Sequence, residues 1–123
     1  MKVKKLILRQ TTDPILYVTH YKEGMLSGWL VHPRVESQIK VQSVPQLLFL
    51  LDNILLREDI PIDYYAFEER ALLDSTIATI RLQILFREHH TWQGCVVWED
   101  QQMEASFRSV LELIEILDEI LAE

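Results

Sequence analysis

The sequence predicts an α+β fold made of two βββα units in tandem. Each unit is an antiparallel meander followed by a helix, and a pseudo-twofold axis relates the two. Three observations carry this. Residues 28–57 lie over residues 94–123 at a constant offset of 66 without a gap, and nine of the thirty aligned positions are identical, Gly28/Gly94 and Val31/Val97 among them. In the second copy, period-two alternation of apolar and polar residues gives way to 3.6-residue spacing after Ser109. A capping box, Ser-x-x-Gln or Ser-x-x-Glu, stands at the same place in both copies: Ser43/Gln46 and Ser109/Glu112. Such self-similarity is the mark of one unit used twice. The expected layout is a first unit over 1–58, an apolar connecting segment over 59–76 and a second unit over 77–123, together forming one compact globular domain.

Taken from the N-terminus, Val3–Leu8 reads as an additional strand before the Thr12-Asp13-Pro14 turn. Ile15–Tyr21 is the first strand of the first unit. Lys22-Glu23-Gly24 and Ser27-Gly28 mark a connection, and Trp29-Leu30-Val31 returns as the second strand. His32-Pro33-Arg34 turns the chain again. Ile39 and Val41, which match Ala105 and Phe107, belong to a third strand. A helix begins at the first capping box, with Pro45 tolerated in its first turn. The segment 57–76 is too apolar for a free linker, with Ile60, Ile62, Tyr64, Tyr65, Phe67, Leu72 and Leu73. It is expected to wrap over one unit, with a short helix at Phe67–Leu73.

In the second unit, Ile80, Leu82, Ile84 and Phe86 alternate with Arg81, Gln83 and Arg87, and Leu85 breaks the pattern. His89–Gly94 reads as a hairpin connection in which Gly94 is free to take positive φ. Cys95–Trp98 is the returning strand, and either Val96 and Trp98 or Cys95 and Val97 point inward. Asp100-Gln101-Gln102 turns into a third strand, Met103–Arg108. The final helix gathers Val110, Leu113, Ile114, Leu117, Ile120 and Leu121 on one face, opposite Glu112, Glu115 and Glu119. A single meander-plus-helix leaves strand edges open and has a small core, which pairing two units remedies.

Composition narrows the function. At 123 residues, 49% of them hydrophobic and 25% charged, the chain is an ordinary globular one. The longest apolar run, Leu47–Leu51, falls far short of the roughly 18 residues a membrane span needs. The basic start is followed by only Leu6–Leu8 before Arg9, too short for a signal peptide. The single cysteine, Cys95, excludes an internal disulfide and points to the reducing cytoplasm. The net charge of −7 lies almost wholly in the second half. Residues 1–61 hold eight Lys/Arg and six Asp/Glu, whereas residues 62–123 hold four and thirteen. Nucleic-acid binding is disfavoured by this balance, since affinity for phosphate backbones comes mainly from Lys and Arg. An acidic protein can still meet a basic partner surface.

Catalytic patterns are sparse. Cys95 with His89 and His90 is the one nucleophile–base candidate, without a recognisable orienting group or oxyanion loop. Zinc wants four well-spaced ligands, more than these three supply. Glu68-Glu69 and Glu99-Asp100 are carboxylate pairs in the expected connections, and a solvated acidic surface accounts for them. No glycine-rich phosphate loop, Ser/His/Asp spacing or cofactor fingerprint is present. The chain is therefore expected to be no enzyme and to need neither cofactor nor metal.

Two surfaces stand out. Arg81, Arg87 and Arg108, with Trp98 if it faces the same way, would form a ligand face of arginine and aromatic groups; salt bridges are the plainer use of those arginines. The other surface comes from the two helices. Their core positions match from Val44/Val110 to Leu55/Leu121, but Phe49 and Leu56 stand where the second helix has Glu115 and Ala122, and Leu50 widens the apolar surface. Either the connecting segment covers Phe49, Leu50 and Leu56, or they form an interface with a protein partner or a second copy of the chain.

Phe86-Arg87, Trp92-Gln93-Gly94, Phe107-Arg108-Ser109 and Leu111-Glu112-Leu113-Ile114 together resemble a group of small, uncharacterised bacterial proteins, chiefly from anaerobic Gram-positive gut organisms. The likeness spans about residues 78–121, the second half only; the first copy has Leu26-Ser27-Gly28 and Gln42 at the corresponding places. No activity is established for the group, so the resemblance implies a unit boundary. The leading expectation is a non-enzymatic interaction or regulatory protein. The alternative is a ligand- or nucleic-acid-binding domain.

Overall fold

Among the described residues, alternation and turn chemistry produce an α+β fold with a six-stranded antiparallel sheet and two α-helices. The computed structural model describes residues 7–8, 13–32, 38–56, 66–67, 75–86 and 92–122. The strands are β1 (Ile7–Leu8), β2 (Ile15–Lys22), β3 (Met25–Val31), β4 (Ile39–Val41), β5 (Ala66–Phe67), β6 (Ala78–Phe86), β7 (Gln93–Trp98) and β8 (Met103–Phe107). The helices are α1 (Val44–Leu56) and α2 (Val110–Leu121). The main sheet runs β4-β3-β2-β6-β7-β8, and β1 pairs with β5 in a separate two-stranded sheet. The N-terminal strand expected at Val3–Leu8 is thus present at Ile7–Leu8 but joins β5. Phe67, expected to open a short helix, is extended because it pairs with Ile7; residues 68–73 of that expected helix lie outside the described residues.

The sheet is continuous because β2 and β6 adjoin at its centre. Ile15 faces Arg81, Leu16 faces Ile80, Tyr17 faces Thr79 and Val18 faces Ala78. Two further backbone bonds close the ends of this seam, from the Leu82 N–H to the Pro14 carbonyl (2.9 Å) and from the Ile77 N–H to the Val18 carbonyl (2.7 Å). Each side of the seam follows the same register. Ile15 faces Val31 and Val18 faces Gly28; 66 positions on, Arg81 faces Val97 and Ile84 faces Gly94. A bulge interrupts β2 between Val18 and His20, and another interrupts β6 between Ile84 and Phe86. The second bulge is the physical reason that Leu85 breaks the alternation: the extra residue is left unpaired and turns outward. Leu85 is exposed accordingly.

The first hairpin turns at Glu23-Gly24, with φ of 52° and 80°. Two consecutive left-handed residues make the tight turn whose twist suits paired strands. Gly28 and Gly94 therefore have a different job from the turn role their sequence suggests. Both lie inside strands, at φ outside the left-handed region, and both face a neighbouring backbone closely. A Cβ on Gly28 would stand 2.3 Å from the Tyr17 carbonyl oxygen, and one on Gly94 1.8 Å from that of Gln83. β3 accordingly begins at Met25, four residues earlier than the sequence suggests.

Both capping boxes form. Ser43 Oγ accepts from the Gln46 N–H and Ser109 Oγ from the Glu112 N–H, each at 3.1 Å. The partner side chains reach back, Gln46 Oε1 to the Gln42 N–H (2.7 Å) and Glu112 Oε2 to the Arg108 N–H (2.8 Å). The serine bonds satisfy donors that a helix start leaves without intrahelical partners, and the back-bonds tie the residue before each N-cap to the first turn. α1 packs on β3 and β4, and α2 on β7 and β8. Leu47, Leu51 and Ile54 from α1 meet Leu113, Leu117 and Leu121 from α2 in one core, over Leu16, Leu30, Ile80, Leu82, Val96 and Phe107 of the sheet. Each fully buried large side chain contributes roughly 1.5–3 kcal/mol by leaving water.

The sheet is also buried on part of its other face. Ile15, Tyr17 and Val31 form a second cluster there, with Trp29 packed against it. The signal for this is the unbroken apolar run Ile15–Val18, since a strand covered on both sides does not alternate. Lys40 lies over the Trp29 ring at 4.8 Å, a cation–π contact across the β3–β4 pair.

Candidate functional site

The outer face of α1 is the first candidate. A 13-residue helix with core contacts at Leu47, Leu51 and Ile54 must turn Phe49 away from the sheet, because 49 lies about 170° from the mean of that stripe. Phe49 is 68% exposed. The connecting segment, the alternative cover for this face, lies mostly outside the described residues. Leu50 behaves differently: it is half-buried and packs against the core. The backbone of Leu56 ends α1, and its side chain lies outside the described residues.

The arginine and aromatic groups do not assemble as one face. Arg81 pairs with Val97, and Trp98 follows Val97 in the same strand, so alternation sends Arg81 and Trp98 to opposite faces of the sheet. Trp98 stands in register with Ile80 and Met103 on the helix side, half-buried. Arg81 lies on the other face and is engaged by two carboxylates, Asp13 Oδ2 at 2.9 Å and Glu99 Oε1 at 3.6 Å. Arg108 is exposed just after β8. Arg87 lies outside the described residues. Salt bridging, the plainer use of Arg81, is the one found, with Asp13 and Glu99 as its partners.

Cys95 is half-buried, its Sγ 3.6 Å from Ser106 Oγ across the β7–β8 pair. His89 and His90 lie outside the described residues. Among the described residues no group of three or more His, Cys, Asp or Glu is placed to hold a metal ion.

Comparison of the chain with family models, with curated proteins and with solved structures found no match.

Sequence reasoning missed two features. The first is a contact between the halves: the Tyr21 hydroxyl donates to Asp118 Oδ1 at 2.5 Å, joining the end of β2 to α2. That bond to a carboxylate, with burial adding to it, pushes the phenol up to about 12 from its ordinary 10.0. A phenol raised on folding stabilises the native state below its ordinary pKa, and the gain is lost as pH climbs toward the raised value. The difference between alkaline ultraviolet titrations of the native protein and of Tyr21→Phe is expected to show one phenol ionising near pH 12, and Asp118→Asn to bring it back toward 10. A midpoint near 10 in the native protein would contradict the bond. The two residues are 97 positions apart, and nothing local announces them.

The second feature is a groove between β8 and α2, about 280 Å³ in volume. Val96, Trp98, Met103, Ala105, Ile116 and Ile120 line it, with Glu104 and Glu119. The Trp98 indole N–H is buried there without a hydrogen-bond acceptor. Among the described residues no helix is long and apolar enough to cross a membrane.

Proposed function

We propose that this chain is a non-enzymatic interaction or regulatory protein of the cytoplasm that docks a protein partner, or a second copy of itself, through the outer face of α1. The exposed Phe49 carries this reading. An aromatic ring left in water on a helix is free to serve as an anchor, and aromatic residues are the side chains that most often anchor protein contacts. The position matching Phe49 in α2 is Glu115, which is exposed and polar, as a solvent-facing position should be.

The same reading takes the chain as two βββα units in tandem, related by a pseudo-twofold axis. It is supported by the constant offset of 66 in sequence, by strand registers and bulges that recur at that offset, by the glycine pair Gly28/Gly94, and by the two matching capping boxes. Kinship of the second unit with the small bacterial proteins it resembles is part of the proposal. On this view the shared positions build the core, and the positions that differ, Phe49 against Glu115 first among them, hold the function.

Phe49→Glu tests it. A substitution at so exposed a site should alter stability by no more than about 0.5 kcal/mol. The expected result is a lower mass in sedimentation, or loss of the partner captured by the native protein, with unchanged circular dichroism. An unchanged mass together with an unchanged partner set overturns the proposal.

A further inference from the structure

The two outer strands of the sheet are unequal, and the difference points to a second docking site. β4 has three residues, and its central one is Lys40. Short length and an edge lysine are the devices by which sheets discourage further strand pairing. β8 has five residues, with no Lys, Arg or Pro. Among the described residues no strand pairs with its outer side. Met103, at its start, is 60% exposed.

Next to this open edge lies the groove between β8 and α2. It exists where a small residue stands: Ala105 faces Val96, whereas on the other side of the sheet the larger Ile39 faces Leu30. A strand added beside β8 would place the side chain next to Ala105 on the helix side, over the apolar walls formed by Trp98, Ile116 and Ile120. Its alternate side chains would lie on the opposite face, beside Glu104. Glu119 stands at the groove from the α2 side. The half of the sequence that holds this edge carries thirteen Asp/Glu against four Lys/Arg. A second copy meeting it edge to edge would bring like charges together, and a basic segment would not.

We propose that the β8 edge and its groove bind an extended segment of a partner protein by strand addition, one in which apolar residues alternate with Lys or Arg. Main-chain hydrogen bonds to β8 supply affinity, and the Ala105 groove selects the anchoring side chain. The proposal rests on the reading of the chain as an interaction protein but uses a surface apart from Phe49.

The probe is a capped seven-residue peptide alternating lysine with valine and leucine, titrated into the full chain by calorimetry. Saturable binding that weakens with added salt is expected. Ala105→Ile, which puts into the groove the residue that stands at the matching position of β4, is expected to weaken it at least tenfold, and the exposed substitution Glu104→Lys several-fold. Methylating the peptide's backbone nitrogens is expected to abolish it, while Phe49→Glu leaves it intact and so separates this site from the α1 face. Absence of binding at millimolar peptide overturns the proposal. So does equal binding of a peptide with glutamate in place of lysine, or binding indifferent to both Ala105→Ile and Glu104→Lys. A dimer that disperses on Ala105→Ile without any peptide binding assigns the edge to a second copy and overturns it as well.

Discussion

Gly94→Ala is expected to destabilise the fold by about 3 kcal/mol or more, the upper range for forcing atoms into a packed interior. The cause is steric and local. The added Cβ would stand 1.8 Å from the Gln83 carbonyl oxygen and 3.1 Å from the Ile84 Cα, both of them backbone atoms that no rotamer change can move aside. β6 would have to shift away from β7 in the middle of the sheet. Gly28→Ala meets the same obstacle against Tyr17, where the carbonyl oxygen lies 2.3 Å from the new atom. The sign makes the test sharp. A glycine whose conformation alanine can adopt gains about 0.4–1 kcal/mol on substitution, because the unfolded chain loses freedom. Urea unfolding of both variants should therefore give lower midpoints than the native protein, with Gly94→Ala among the most damaging single changes in the chain. A midpoint equal to or above the native one would refute the close approach.

Phe107→Ala is the second large effect, expected at about 3–5 kcal/mol, the usual range for emptying a buried aromatic site. Phe107 ends β8, faces Gly94 across the pair and is 1% exposed beneath α2. With a glycine directly opposite, no side chain across the pair can spread into the space the ring leaves. Phe49→Ala removes the same group from a site 68% exposed, and is expected to change stability by less than about 0.5 kcal/mol. Measured side by side in urea, the two variants separate a ring that holds the core from one that faces outward. Similar losses from both would mean that Phe49 is covered, and would remove the basis for an interface on α1.

The parts of this fold that are legible in the sequence are those set by local rules. The helix starts are written in Ser43/Gln46 and Ser109/Glu112, because a capping box needs only four neighbouring residues. β6 is legible from Ile80, Leu82 and Ile84, because one of its faces is apolar and the other is not. Its neighbour β7 is not legible in the same way. Cys95-Val96-Val97-Trp98 is apolar throughout, so its inward parity, and with it the side of the sheet on which Trp98 lies, has no local mark. Gly28 and Gly94 are misread for a related reason. A glycine needed for a turn and a glycine needed beneath a carbonyl look alike beside polar neighbours. In the candidate sites, Phe49 is legible because the helix stripe predicts which way it points. The partners of Arg81 are not, since Asp13 lies 68 positions away and only the β2–β6 pairing brings it close.

That pairing has a kinetic consequence. Within each hairpin the chain closes short loops: Lys22 and Met25 are separated by the two residues of one turn. The seam instead joins Ile15 to Arg81 and Val18 to Ala78, across 66 and 60 positions. Loop-closure entropy rises with the length enclosed, and contacts of high sequence separation slow folding. The hairpins are thus cheap to form and the seam is the costly step. Until β2 finds β6, each lacks a neighbour on one side, and either strand of one chain is an equally suitable partner for the complementary strand of another. Folding at high concentration therefore sets correct closure against exchange of halves between molecules, and the four residue pairs at the centre of the sheet are where that competition is decided.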